Sequence, residues 1–440
     1  MQVVVLGTGH VGLVTAATLA TLGHHVVGLD LDQEKISQLN SGSCPFFEPG
    51  LPELVEREVE SGRLRFEVED REAVAGADVV FICVGTPARA NGEANLVAVE
   101  GAARGIAPYL NGPVVVVEKS TVPAGTAQRL RKVLMHERPD LVDDLDVVSN
   151  PEFLREGQGV EDSLRPSRIL VGAHSQRAFD TMRRIYEPLI RDGHLLIETD
   201  IATAEIAKHA SNAFLALKIS YANALARICE RSGADVTAVA DVMGSDARIG
   251  RAFLDAGLGY GGYCFPKDLQ AFERLADRLG YDFPLLREVA RINDDAVEAT
   301  LHKVTDALWN LEGKRVALLG LSFKPGTDDV RLSPSLALGR RLLHEGATVV
   351  GYDPQAGAGA KAELPELEVA SNVYDALEGA HCMVVCTDWD EFSSLDLHKA
   401  KELLVYPIVI DGRNLFDPAE IESLGFVYYG TGRAAHQGVD

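Results

Sequence analysis

Cys264 sits in the phrase GYGGYCFPKD, behind Gly259, Gly261 and Gly262 and two residues before Pro266, Lys267 and Asp268. Proline cannot continue a preceding helix but suits the first turn of a new one, and the following LQAFERLADRLG has helical periodicity up to Gly280. The spacing therefore predicts a helix that starts just after Cys264. Unpaired N–H groups and the positive end of the dipole favour a thiolate at such a place, and Lys267 adds a cation nearby. A lone cysteine is more often a core residue. Here the glycines, the helix start and the Pro-Lys-Asp triplet favour a nucleophile, with the glycines leaving room for a ligand to approach the sulfur. Asp268, four residues on, is placed to take or hold a proton, or simply to complement the helix dipole.

Two further pairs have chemical potential. Lys208 and Asn212 are four apart on a long apolar stretch, where an ammonium and an amide could stabilise a developing alkoxide; the alternative is a buried ion pair. Glu152 and Glu156 in NPEFLREG follow an apolar run and, if helical, share one face, where two carboxylates could orient and deprotonate water; the alternative is a solvated acidic face. Lys324 and Arg331 bracket KPGTDDVR, and Arg248 and Arg251 lie upstream of the glycines. In a chain of formal net charge −23, such cations suggest a phosphate-bearing partner.

Gly7, Gly9 and Gly12 form GxGxxG directly after the first apolar run, and Asp30 closes the second. Glycines there let the backbone approach a pyrophosphate at a helix N-terminus, and the acid can accept both adenosine ribose hydroxyls while repelling a 2′-phosphate. The expected cofactor is NAD. Lys35, Thr86 in VGTP and Thr121 in STVP lie at or beyond later strand ends and are further candidate contacts.

These groups need a scaffold. VVVLG, HHVVGLD, ADVVFICVG, PVVVVEKS and LDVVSN alternate with helical stretches, the signature of a parallel sheet covered on both faces. Residues 203–231 contain neither Gly nor Pro and read as one long helix joining two halves. The pattern then repeats: MQVVVLGTGH is answered by GKRVALLGLS, GHHVVGLDLD by GATVVGYDPQ, and GADVVFICVG by GAHCMVVCTD. The fold class is α/β, with two Rossmann-like doubly wound domains, of which only the first keeps the glycine turn. At 440 residues the chain has room for two or three cores, and its acidity argues against nucleic acid or anionic membrane as a partner. Six cysteines lack CxxC or metal spacing, and no basic leader or membrane-length run occurs, so a soluble protein of a reducing cytosol without a bound metal is expected.

Together GTGHVGL, VGTP, STVP, NPEFLREG, KHASNAFLALKIS, RIGRAFLDAGLGYGGYCFPKD, FKPGTDDVR, TDWDEF and DGRN resemble the UDP-glucose/GDP-mannose dehydrogenase family along nearly the whole chain. The resemblance implies four-electron oxidation of a nucleotide-sugar C6 alcohol to a carboxylate with two NAD, in a homodimer. It implies an NAD domain at 1–200, a central helical dimerisation domain at 201–312 and a nucleotide-sugar domain at 313–440. By the same resemblance Cys264 is the nucleophile, Lys208 and Asn212 stabilise the oxyanion, Asp268 and Thr121 hold a water, and Glu152 and Glu156 serve hydrolysis. NAD would be held by Gly7, Gly9, His10, Val11, Gly12, Asp30, Lys35, Thr86, Thr121, Glu152, Lys267 and Arg331. The sugar nucleotide would meet Glu152, Phe153, Leu154, Arg155, Glu156, Lys208 and Asn212, then Arg248, Phe253, Leu254, Asp255, Ala256, Gly257, Gly261 and Lys324. His10 stands where the family often has an aromatic, Asn91 and Asn95 replace frequent acids, and Asp388 stands for Glu. RAFLDAGLGYGGYC is more similar to the UDP-glucose branch than to the GDP-mannose or N-acetylhexosamine branches. A two-electron hydroxyacid dehydrogenase would share the glycine turn and the Lys/Asn pair but not need Cys264, and an NAD-sensing module would keep Gly7, Gly9, Gly12 and Asp30 but have no reason to keep Lys208, Asn212 and Cys264 together.

Overall fold

Each apolar run becomes a strand whose alternate side chains enter different cores. In the computed structural model, which describes residues 1–433, β1 (Gln2–Leu6), β2 (His25–Leu29), β3 (Leu64–Glu67), β4 (Val79–Ile82), β5 (Val114–Glu118), β6 (Leu145–Ser149), β7 (Ile169–Gly172) and β8 (Leu196–Thr199) form one sheet. Val3, Val5, Phe81, Val115 and Val117 pack on one side, while Val4, Leu6, Ile82, Val114 and Val116 pack on the other. Burial on both faces is why these strands read as unbroken apolar runs.

The strand order is β3-β2-β1-β4-β5-β6-β7-β8. Pairing is parallel from β3 to β6, as expected; β7 then meets β6 antiparallel through Ser149 and Gly172, and β8 runs parallel to β7. A second sheet comprises β9 (Arg315–Leu319), β10 (Thr348–Tyr352), β11 (Glu368–Val369), β12 (Cys382–Val385), β13 (Ile408–Asp411) and β14 (Val427–Gly430), in the order β11-β10-β9-β12-β13-β14. The first six strands of each sheet thus share one doubly wound order, with ligand-binding loops expected at the carboxyl edge beside β1 and β9.

The chain divides into two units, residues 1–211 with 270–280 and residues 212–269 with 281 onward. The first boundary falls inside the long helix Ile201–Ser232, which covers the expected span and extends it slightly. The helix Cys264–Arg278 starts on Cys264 itself rather than after it, so the thiol belongs to the first turn. No helix among the described residues is long and apolar enough to cross a membrane.

At the carboxyl end of β5 the side chain of Glu118 is buried, and burial, with Glu205 adding to it, pushes its carboxyl well above the ordinary carboxylate range. A carboxyl raised in the folded state contributes stability that is present below its unfolded pKa and lost as pH rises through the folded value. Glu118→Gln is therefore expected to flatten the fall of Tm between mildly acidic and alkaline buffer. A variant whose Tm follows the wild-type pH profile would contradict this.

Candidate active site

The glycine turn follows β1 and enters the helix His10–Thr21. Gly7 has φ of 89°, and a methyl group there would lie 2.9 Å from the Cys83 carbonyl oxygen; one on Gly12 would lie 1.8 Å from the Gly7 oxygen. Those two glycines are required by the close approach of the protein's own backbone. Gly9 has nothing within 4 Å of that position, so the turn is open where a pyrophosphate would approach. Asp30 Oδ2 accepts from Thr8 N at 2.8 Å, Thr8 Oγ1 at 2.9 Å and Lys35 Nζ at 2.9 Å, while among the described residues Oδ1 accepts only from Asp32 N at 3.1 Å. Burial works against the charge on Asp30, but these donors hold its pKa below the usual value. These residues fit NAD: an open turn at a helix start and an ionised acid with capacity left on one oxygen.

His10 begins that helix, with its ring stacked on Phe46 (centroids 4.6 Å apart) and Nε2 2.8 Å from Glu48. Val11 follows in the first turn. Glu48 is buried and also accepts from Gly157 N and Gly159 N, each at 2.7 Å. One carboxylate thus ties the glycine-turn helix to the end of the NPEFLREG loop.

That loop is not helical, contrary to the expected shared face of Glu152 and Glu156; the next helix begins at Gly159. Pro151 opens it, Gly157 takes φ of 79°, and Glu48 captures the N–H groups that a helix would have used. Instead Glu152 accepts from Leu154 N at 2.7 Å and pairs with Lys208 Nζ at 2.9 Å, both side chains buried. Lys208 is thus part of a buried ion pair, the alternative weighed from sequence. The Phe153 ring lies 5.4 Å from Lys208 Nζ and 3.7 Å from the Arg168 guanidinium. Arg155 reaches away to Asp162, and Glu156 has one buried carboxylate oxygen.

Thr121 lies after β5 in a turn held at several points. Thr86 Oγ1 donates to the Thr121 carbonyl at 2.9 Å, His209 Nε2 meets the Val122 carbonyl at 2.9 Å, and Glu205 accepts from Gly125 N at 2.6 Å and Ala127 N at 2.8 Å. Glu205, Lys208 and His209 stand within about one turn of one helix. Sequence reading missed Glu48, Glu205 and His209. Two acids in otherwise apolar surroundings were the available signal, but nothing local to Glu48 or Glu205 names the turn that each would bind.

In the second unit Asp268 is fully buried, accepting from Asn212 Nδ2 at 2.6 Å and Lys267 Nζ at 2.7 Å, one turn along the helix that Cys264 begins. Lys267 is thereby paired with Asp268. Tyr263 lies between cations, 5.5 Å from Lys267 Nζ and 4.5 Å from the Arg331 guanidinium, and Arg331 is held by Asp329. Gly262 N donates to the Arg331 carbonyl at 3.0 Å, so the turn before Cys264 is joined to the turn after β9. Lys324 lies over Phe323 in that turn. Phe253 takes φ of 66°, a costly conformation for an aromatic residue; Leu254 and Ala256 are buried, Asp255 pairs with Arg251, and Gly257 N donates to Asn223 Oδ1 at 2.8 Å. Arg248 projects outward and is held by Asp246 rather than joining the other cations.

Sequence reading expected the glycines before Cys264 to leave room for a ligand, but the places of their missing side chains are taken up by the protein itself. A methyl group on Gly259 would lie 2.7 Å from Asn293 Oδ1, on Gly261 2.3 Å from the Leu332 carbonyl oxygen, and on Gly262 2.8 Å from the Phe323 ring. The space beside each is filled by the second unit's own chain. Gly261→Ala should accordingly lower stability by about 1–3 kcal/mol, the usual cost of overpacking, as read by denaturant unfolding without ligand. Unchanged stability with weakened substrate binding would restore the ligand-space reading.

Three family models match the chain: the UDP-glucose/GDP-mannose dehydrogenase family NAD binding domain at residues 1–190, its central domain at 202–295 and its UDP binding domain at 317–418. UDP-glucose 6-dehydrogenase YwqF of Bacillus subtilis is 41% identical over 436 residues, covering 99% of this chain and 98% of that one. The UDP-glucose 6-dehydrogenase of Rhizobium meliloti is 43% identical over 437 residues, covering 98% and 100%. Among solved structures, a UDP-glucose dehydrogenase from Pyrobaculum islandicum matches with a TM-score of 0.91 at 37% identity over 98% of each chain. A UDP-D-ManNAc dehydrogenase from Pyrococcus horikoshii matches with a TM-score of 0.87 at 28% identity, over 99% and 100%.

Proposed function

Because the chain belongs to the UDP-glucose/GDP-mannose dehydrogenase family, we propose that it converts UDP-glucose, water and two NAD to UDP-glucuronate and two NADH. The observation that carries this reading is Cys264 in the first turn of a helix, one turn before the buried Asn212–Asp268–Lys267 network; a simple two-electron dehydrogenase has no need of that cysteine. NAD, when bound, supplies the hydride acceptor for each of the two oxidations. We assign its binding to Gly7, Gly9, His10, Val11, Gly12, Asp30, Lys35 and Thr86, with Thr121, Glu152, Lys267 and Arg331.

The C6 hydroxyl loses its proton as its carbon is oxidised, and Lys208 with Asn212 stabilises the oxygen on which charge develops. Cys264 Sγ adds to the resulting aldehyde carbon, giving a thiohemiacetal whose second oxidation leaves a thioester. Water then attacks the acyl carbon, the C–S bond breaks and the thiolate is regenerated. Asp268 and Thr121 position water for proton transfer, and Glu152 and Glu156 serve this hydrolytic half. Covalent capture keeps the aldehyde from escaping between oxidations. We assign sugar-nucleotide contacts to residues 152–156, Lys208, Asn212, Arg248, residues 253–257, Gly261 and Lys324. The proposed division at 1–200, 201–312 and 313–440 is supported by the three family-model spans.

Purified protein is expected to release two NADH and one acid per UDP-glucose and to prefer that substrate over GDP-mannose and UDP-N-acetylhexosamines. Cys264→Ala should abolish net turnover. One NADH per substrate, another preferred sugar or wild-type rates in the variant would each overturn the corresponding part of the reading.

We further propose a homodimer in the reducing cytosol. Along the Ile201–Ser232 helix, Phe214, Tyr221 and Ile228 recur every seven residues with relative exposures of 61%, 48% and 62%, an apolar stripe suited to a second copy. Phe214→Glu/Ile228→Glu should shift the mass measured by light scattering from dimer to monomer. An unchanged mass would remove this stripe from the interface.

A further inference from the structure

The first unit carries a cleft of about 280 Å³ that none of the assigned catalytic or cofactor residues lines. Its walls are the loop closed by the Ala88–Ala94 bridge, the helix Val97–Ile106, the helix Thr126–Glu137 and the 270–280 end of the cysteine helix. Arg89, Arg129, Arg274 and Arg278 converge on it, one or two from each of three separate segments.

Their pairing is unusual for this chain. Most described arginines hold a carboxylate, as Arg104 holds Glu100, Arg177 holds Asp146 and Arg291 holds Glu288. The guanidinium groups of Arg89, Arg129 and Arg278 have no carboxylate within 4.0 Å and no hydrogen-bond acceptor among the described residues. Arg274 donates to the Asn91 carbonyl at 2.9 Å and to Asp277 at 3.2 Å. Of the two acids of the cleft, Glu100 is taken by Arg104, while Glu93 accepts from Asn91 Nδ2 at 3.0 Å and keeps its charge, so the arginines outnumber the carboxylate left to face them. A chain of net charge −23 thus gathers an excess of cations in one cleft. Like charges brought together repel, and a multiply charged anion relieves that repulsion while offering acceptors for bidentate guanidinium contacts. The remaining lining is apolar. Leu96, Leu130 and Val133 contribute to it, and Val97 on the rim is 66% exposed, so the cleft suits a ligand with a carbon body as well as anionic groups.

We propose that this cleft binds an organic phosphate bearing at least two phosphate groups, at a site distinct from those of NAD and the nucleotide sugar. Fructose 1,6-bisphosphate is a suitable probe because it contains neither nucleobase nor dinucleotide. It would be titrated calorimetrically into the full-length protein saturated with NADH and UDP, with inorganic phosphate as the comparison. The expected result is saturable binding with one site per chain, tighter than for inorganic phosphate. Arg129→Ala/Arg278→Ala should weaken it at least about tenfold, which is roughly 1.4 kcal/mol, while turnover stays at the wild-type level. Absence of saturable binding, equal binding by the variant, loss of binding once NADH and UDP are present, or loss of turnover in the variant would each overturn the proposal. Because the titration does not require catalysis, its failure is separate from failure of the UDP-glucose reading.

Discussion

A buried carboxylate that accepts backbone N–H groups from a neighbouring turn is the contact on which both sheet edges depend. Glu48 holds the amides of Gly157 and Gly159, Glu205 those of Gly125 and Ala127, Asp353 those of Leu321 and Ser322, and Asp411 those of Arg413 and Phe416. Hydrogen bonds to a charged group contribute about 1.5–3 kcal/mol each, and fixing one backbone residue costs about 1–2 kcal/mol. Two such bonds therefore offset the ordering of roughly three residues, about the length of each turn. Loops at a parallel sheet's carboxyl edge have no ladder of their own to hold them. These acids supply one.

Around Lys208 a buried carboxylate again joins two segments. Glu152 is held both by its own loop, through Leu154 N, and by the Lys208 ammonium, so the NPEFLREG loop and the long helix fix each other. Removing one partner of a buried pair usually costs about 3–5 kcal/mol, because the other charge is stranded. Loss of activity in a Glu152 or Lys208 variant would therefore need a stability measurement beside it before it could be assigned to the reaction.

The strands, their doubling and the long helix were legible because both sheet faces are buried and because residues 203–231 lack any helix breaker. The glycine turn and the Cys264 helix were legible from local backbone requirements. What escaped was set by distant partners. Glu152 and Glu156 have helical spacing, yet Glu48, more than a hundred positions earlier, claims the amides at Gly157 and Gly159. Gly259, Gly261 and Gly262 suggest open space, yet Asn293, Leu332 and Phe323 fill it. Local spacing identifies which residues can share an element, whereas contacts at long range decide whether they do.

The two doubly wound sheets make parallel use of the first turn and reach opposite ends. Gly7 N donates to the Leu29 carbonyl and Gly320 N to that of Tyr352; Thr8 and Ser322 hydroxyls each donate to the acid after the next strand. In the first copy that acid keeps one oxygen with a single backbone partner. In the second, Asp353 Oδ2 also takes Trp389 Nε1 at 3.1 Å, and Oδ1 takes the amides of Gln355 and Ala356. Ser322 and Pro325 stand where the first copy has Gly9 and Gly12. Restoring those two glycines would not recreate a dinucleotide site, since the ribose-facing acid is already saturated by its own protein. The two copies therefore differ in more than their glycines: Asp353 is a structural splint, and adapting its turn to cofactor binding would take several simultaneous changes rather than one.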